Sequence, residues 1–257
     1  TKEKIISQAF KLHSQGKISE AAKYYQFFLD KGFTDPRVLS NYAIIFKNLG
    51  KPEKAEPLIR RAIELNPNYV EGYSNLGNIL RELGKLEEAE TSLRRAIELN
   101  PNYVEGYSNL GNILRELGKL EEAEILIRKA IKINPNLAIC YSNLGSILVD
   151  LGKSNEADKL IRKAIKLNPK CADYLSNLAS ILRISGKLEE AEKYIRKAIR
   201  INPNLVIAHL NLGMILRELG KLDKAKFSFF KAIEIDPNYA DSYYYLGNLL
   251  KDFGEIE

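Results

Sequence analysis

Cysteine and histidine are scarce: Cys140, Cys171, His13 and His209 are the only ones in 257 residues. Two cysteines cannot build a disulfide framework, which points to a reducing compartment, the cytoplasm. The spacing of these four residues suits no zinc site. No apolar run approaches the roughly 20 residues of a helical membrane span. The opening Thr1-Lys2-Glu3-Lys4 lacks the apolar core of a signal peptide. There is no Ser/Gly-rich linker, charge block or low-complexity stretch, so one uninterrupted unit is expected over residues 1–257. No phosphate loop, dinucleotide fingerprint or Ser/His/Asp arrangement is present. The carboxylates recur at regular spacing, as solvated helix faces do. No catalytic residue, cofactor or metal is expected.

What is there is charge. Lys and Arg number 39 against 33 Asp and Glu, a net +6. The bases recur in pairs, Arg60-Arg61, Arg94-Arg95, Arg128-Lys129, Arg162-Lys163 and Arg196-Lys197. Four residues before each pair stands an acid: Glu56, Glu90, Glu124, Asp158 and Glu192. Acid before base at i, i+4 is the favourable order on a helix, at about 0.2–0.5 kcal/mol a pair. The basic stripe therefore reads as a self-neutralising helix face and argues against a phosphate track.

The larger regularity is an offset of 34 residues: residues 60–90 and 94–124 are identical. The same offset carries Pro67 through Pro101, Pro135, Pro169, Pro203 and Pro237, and Gly16 through a glycine in every unit to Gly254. In Val70–Tyr103, Tyr73, Leu76, Gly77 and Leu80 share one face of a first helix. Gly84 sits where a helix closes in the left-handed region. Leu86, Ala89, Leu93 and Ala96 form the inner stripe of a second helix, which Asn100-Pro101 ends. The spacing predicts helices near 70–83 and 87–100, a helical hairpin repeated along the chain.

Tyr73, Leu76, Gly77, Ala89, Leu93, Ala96 and Pro101 resemble the tetratricopeptide repeat. The resemblance implies an all-α solenoid of 34-residue helix-turn-helix repeats in a right-handed superhelix, with the first helices lining its concave side. Units fall near 2–35, 36–69, 70–103, 104–137, 138–171, 172–205 and 206–239, with a partial unit at 240–257. That makes seven full repeats plus one extra helix, fifteen helices in all. The first unit departs most, with Phe28 for the second Ala and Phe33 for Pro. Gly77 and Ala89 are expected to let paired helices approach, and Ala96 to admit the next hairpin. In the last helix Tyr243, Leu246, Leu249, Leu250 and Phe253 lack a second helix to cover them, so self-association through this end is expected.

The candidate site is the other face of the first helices. Its sixth unit position reads Asn41, Asn75, Asn109, Asn143, Asn177 and Asn211, its fifth reads Ser40, Ser74, Ser108, Ser142 and Ser176, and its ninth includes Asn78 and Asn112. Asn and Ser are weak helix formers, so solubility alone would favour Glu, Lys or Gln there. An amide side chain offers a donor and an acceptor, matching the peptide group of an extended chain. The row is similar to the inner-face Asn ladder of protein O-GlcNAc transferases, which implies capture of substrate backbone; it departs at Ser7 and Tyr245. Apolar residues flank it, with Ile6, Phe10 and Ile44 at one end and Leu210, Met214, Tyr244 and Tyr245 at the other. His209 takes the aromatic position of its unit, a packing role. His13 takes the position of Arg81 and is expected to be solvated.

The leading expectation is thus a non-enzymatic scaffold for protein-protein interaction, holding an extended peptide in the concave groove. An alternative is the substrate-recruiting arm of a larger tetratricopeptide-containing transferase. A third, RNA binding, follows from the related pentatricopeptide hairpins, but Arg81-Glu82 and Arg115-Glu116 interrupt any cationic track. A carboxylate clamp of the chaperone-binding type would need bases where Glu71, Ser74, Glu105 and Ser108 stand.

Overall fold

The computed structural model describes residues 1–252, which form fifteen helices and no strand. The chain divides into two compact units, Thr1–Ile133 and Asn134–Glu257. The first contains α1 (Lys2–Ser14), α2 (Ile18–Asp30), α3 (Pro36–Asn48), α4 (Pro52–Leu65), α5 (Val70–Glu82), α6 (Leu86–Leu99), α7 (Val104–Glu116) and α8 (Leu120–Ile133). The second contains α9 (Ala138–Asp150), α10 (Ser154–Leu167), α11 (Ala172–Ile184), α12 (Leu188–Ile201), α13 (Val206–Glu218), α14 (Leu222–Ile235) and α15 (Ala240–Asp252). Odd and even helices pair as hairpins.

Each predicted boundary in Val70–Tyr103 lies within a residue of the observed one, and the turn chemistry explains why. Gly84 takes φ +73°, its amide donates to the Arg81 carbonyl at 3.0 Å, and the Lys85 amide donates to the Leu80 carbonyl at 2.9 Å. This double bond pattern closes α5 and needs a residue that enters the left-handed region without penalty. At the far end Asn100 is extended, at φ −137° and ψ 94°, and its side-chain oxygen accepts from the Asn102 amide at 3.0 Å. That turn, with Pro101 lacking a donor, stops α6 and redirects the chain into α7.

Within a hairpin the small positions set the helix separation. A Cβ placed on Gly77 would lie 2.6 Å from Leu93 Cγ, and one on Gly111 would lie 2.4 Å from Ile127 Cδ1. Ala89, Ala96, Ala123 and Ala130 are fully buried. Each hairpin therefore presents a flat, close-packed side to its neighbour, and burial is distributed along the stack.

The first hairpin solves its packing differently. Phe28 replaces the small residue, is buried, and meets Phe33 with ring centroids 5.4 Å apart. Tyr25, also fully buried, accepts or donates a hydrogen bond with His13 Nδ1 at 2.9 Å. His13 is thus half-buried and engaged by Tyr25, not merely solvated, because an aromatic hydroxyl in the second helix reaches back to it.

At the other end the expected apolar patch is smaller than the sequence suggested. Leu246 and Leu249 are buried, whereas Tyr243 and Tyr244 are 50% and 64% exposed. Leu250 is half-buried, and Phe253 and Gly254 lie outside the described residues. Gly213 is covered by the Phe229 ring, whereas an added Cβ on its counterpart Gly247 would meet nothing within 4 Å among the described residues.

Candidate functional site

The Asn row is a set of bonds between successive first helices. In the first unit Asn75 Nδ2 donates to Ser40 Oγ at 3.1 Å, and Asn109 Nδ2 to Ser74 Oγ at 3.2 Å. In the second, Asn177 donates to Ser142 at 3.1 Å and Asn211 to Ser176 at 3.0 Å. The serines are buried, contrary to the expectation that their position lies on an open stripe. Helix periodicity places the fifth position opposite the hairpin's own core, but the next first helix covers it. The same cover buries Ile6 and Leu210, which therefore are not groove flanks. Tyr244 holds the fifth position of the last helix and stays exposed.

The amides are half-buried at Asn41, Asn75, Asn109, Asn143 and Asn177, and Asn211 is buried at 7% exposure. In Asn75, Asn109 and Asn177 one N–H is fixed by serine, so the amide plane is oriented. Their Oδ1 atoms have no partner among the described residues. An amide so held still offers an acceptor and a second donor. Asn41 has no serine to bind in the preceding helix. Burial pushes the Tyr25 hydroxyl up to about 12, against the lowering effect of the nearby Asn41 side chain.

Further along these helices the charges are mutually engaged. Arg81 pairs with Glu116, and Lys47 lies 3.4 Å from Glu82. With Asn78 these residues line a crevice of about 350 Å³. In the second unit Arg183 pairs with Glu218, and a crevice of about 490 Å³ brings Met214 and Tyr245 together with Arg183 and Arg217. Tyr245 is stacked on Phe229, with centroids 6.1 Å apart and rings 14° from parallel. Tyr244 meets Tyr245 edge-on but does not line that crevice. Phe10, half-buried, packs on Tyr25 at 6.2 Å and lies under the Arg37 guanidinium at 5.5 Å. Asn112 is half-buried on the same face as Asn109.

On the second helices the i, i+4 pairs form as the sequence requires. Arg60–Glu56, Arg94–Glu90, Arg128–Glu124, Arg162–Asp158 and Arg196–Glu192 close at 2.7 to 2.9 Å. A lysine of the next turn joins several of them, as Lys85 does Glu56 at 2.8 Å and Lys221 does Glu192 at 2.7 Å. Hydrogen bonds from these lysines, with Arg60 and Arg196, hold the Glu56 and Glu192 carboxyls below the ordinary carboxylate range against burial. His209 Nε2 donates to the Pro203 carbonyl at 2.8 Å, just as the Tyr107 and Tyr141 hydroxyls donate to Pro101 and Pro135. Among the described residues no His/Cys/Asp/Glu group could hold a metal, and no helix is long and apolar enough to cross a membrane. Sequence reasoning missed a larger crevice, about 930 Å³, on the second-helix side of α12–α14. Its signal was Lys224, which replaces the Glu of the four preceding units, together with the small Ser228 where Tyr194 stands one unit earlier.

A run of 34-residue helical hairpins defines a helical-repeat protein. Tetratricopeptide-repeat profiles match residues 36–69, 58–91, 77–118, 104–137, 142–206, 206–239 and 229–257. The chain belongs to the tetratricopeptide-repeat family. No curated protein matches it in sequence. Among solved structures it is similar to a tetratricopeptide repeat protein from Parabacteroides merdae ATCC 43184, with TM-score 0.81, 18% identity, and 97% of this chain and 98% of that one covered. It is equally similar, at TM-score 0.81 and 15% identity, to a chain of the APC/C hetero-tetramer Cut9-Hcn1, covering 94% of itself but only 48% of that chain. TTC0263, a thermophilic tetratricopeptide protein of Thermus thermophilus, gives TM-score 0.65 and 23% identity over 71% of this chain and 99% of that one. At these identities the likeness is one of fold.

Proposed function

We propose that this chain is a protein-interaction scaffold whose first-helix face holds an extended peptide segment by its backbone. The observation that carries the reading is the fixed amide row. A serine bond orients each of Asn75, Asn109 and Asn177 and leaves Oδ1 unpartnered. Within each unit, oriented donors and acceptors match the regular groups of an extended main chain, and orienting them in advance reduces the ordering cost of binding. Met214 and Tyr245, gathered in one crevice, supply an apolar site for a side chain near one end of the row. Phe10, pinned by Tyr25 and Arg37, is the corresponding apolar residue in the first unit.

The chain acts by binding, without catalysis of its own: its acids and bases recur with the repeat and neutralise one another in pairs. Two cysteines are too few for a disulfide framework, which fits a reducing, cytoplasmic setting. A second contact is suggested by the exposed Tyr243 and Tyr244: α15 is available for self-association.

The groove is tested with a library of unstructured peptides. The wild-type chain should enrich binders, and changing Asn75, Asn109, Asn143 and Asn177 together to Ala should weaken them about tenfold or more, on the order of 1.4 kcal/mol. Circular dichroism must show the variant still helical. Binders retained at full affinity would place recognition elsewhere.

A further inference from the structure

The 930 Å³ crevice in the second unit lies between the second helices α12 and α14, over a floor supplied by α13. It opens because a device used at other seams is missing. In the first unit Arg60 Nη2 reaches Glu88 on the next second helix at 2.7 Å, and Arg94 Nη2 reaches Glu122 at 2.6 Å. Between α10 and α12, Arg162 reaches Glu190 at 2.9 Å, while its other nitrogen donates to the Tyr194 hydroxyl at 3.1 Å. The Tyr194 ring lies 5.6 Å from that guanidinium. Glutamate and tyrosine thus fill the seam and neutralise the arginine that faces it.

One repeat later both are replaced. Lys224 stands 34 residues after Glu190, and Ser228 stands 34 after Tyr194. Ser228 turns its hydroxyl onto the Lys224 carbonyl, at 2.9 Å. Among the described residues Arg196 pairs only with Glu192, which Lys221 also binds. Lys193, Arg200 and Lys224, which line the same crevice, make no ion pair among the described residues; Asp223 is the one acid on its wall. The floor is apolar, from Leu212 and Leu216 of α13, and Ile199 of α12 adds to it. Phe227, 65% exposed, belongs to the lining, and the apolar surface continues onto Phe230, 49% exposed, one turn further along α14.

Cationic walls over an apolar floor select a ligand that is both acidic and apolar, since burying a lone carboxylate or a lone hydrocarbon would satisfy only half of the lining. The spread of exposed aromatic surface along α14 exceeds what a small anion would cover and matches a helical segment laying an apolar face into a groove. We infer that the α12–α14 seam is a second docking site, for an acidic amphipathic segment of a partner protein, in which Leu or Phe side chains enter the crevice and flanking Asp or Glu meet Arg196, Arg200 and Lys224. This site is separate from the amide row and does not depend on it.

The test uses a short fluorescein-labelled peptide with Leu and Phe on one helical face and Glu on the other, titrated into the full chain. A scrambled peptide of the same composition and a single-stranded RNA of similar length are the controls. The double variant Lys224→Glu with Ser228→Tyr restores the residues that already pack between α10 and α12, so its helicity should be unchanged. It should bind the patterned peptide about tenfold more weakly or worse. Phe227→Ser, at an exposed position, should weaken binding independently of any repacking. Asn75→Ala with Asn109→Ala, in the other unit, should leave it unaltered. The inference is overturned if the scrambled peptide binds as well as the patterned one. It is equally overturned if both seam variants bind normally, or if the RNA binds more tightly and displaces the peptide.

Discussion

Asn109 donates from Nδ2 to Ser74 Oγ at 3.2 Å, and Ser74 is buried at 2% exposure. The bond joins α7 to α5 and serves two purposes at once. It satisfies a hydroxyl that would otherwise be buried beside a neighbouring helix, and it sets the plane of an amide that remains half open. Removing Asn109 alone should cost about 1 kcal/mol, because a buried hydroxyl loses its donor. Ser74→Ala with Asn109→Ala should cost less than the two single changes added. A double-mutant cycle by urea unfolding checks this; strictly additive effects would show that the contact carries no coupling.

Ala123 is fully buried, and its carbonyl lies 3.7 Å from where a Cβ on Gly111 would sit. Replacing Ala123 with Leu forces α7 and α8 apart and should destabilise by about 1–3 kcal/mol. A thermal melt unchanged by Ala123→Leu would contradict the packing of that hairpin.

Glu56 and Glu192 titrate below their ordinary range, chiefly through hydrogen bonds from Lys85 and Lys221. A carboxyl with a depressed folded-state pKa adds stability that is present above its unfolded value, and loses it as pH falls through the folded one. Melting temperature should therefore decline below about pH 4.3, the unperturbed glutamate value. Replacing Lys85 and Lys221 with Met should flatten that decline; an unchanged acid limb would remove these pairs from the account.

The exposed Tyr243 and Tyr244 make α15 the expected self-association surface. Sedimentation equilibrium should show association rising with concentration, abolished by Tyr243→Glu with Tyr244→Glu. A monomer at every concentration would contradict it.

The fold was legible because duplication copied its signals. Gly84, Asn100-Pro101 and the stripe from Leu86 to Ala96 each act within a hairpin, where sequence spacing fixes geometry. The site was legible only in outline. Ser74 looks exposed on its own helix, and only the arrival of α7 buries it. His13 looked free until Tyr25, in the following helix, was seen to reach it. Leu246 and Leu249 look open on α15 alone, and the packing of α13 and α14 against it buries them. The α12–α14 crevice was written in the sequence as Lys224 and Ser228, but its meaning depended on knowing that Glu190 and Tyr194 close the seam before it.

The claim that the amide row recognises main chain is tested most directly by altering only the main chain of a ligand. A peptide enriched by the wild-type protein would be remade twice, once with N-methyl groups on alternate backbone nitrogens and once with its central side chains replaced by Ala. Isothermal titration then compares the affinities. The account predicts a loss of about tenfold or more for the N-methylated peptide and little change for the Ala peptide. The reverse order, with backbone methylation tolerated and the side chains required, would show that the row between Asn41 and Asn211 does not hold a peptide by its backbone.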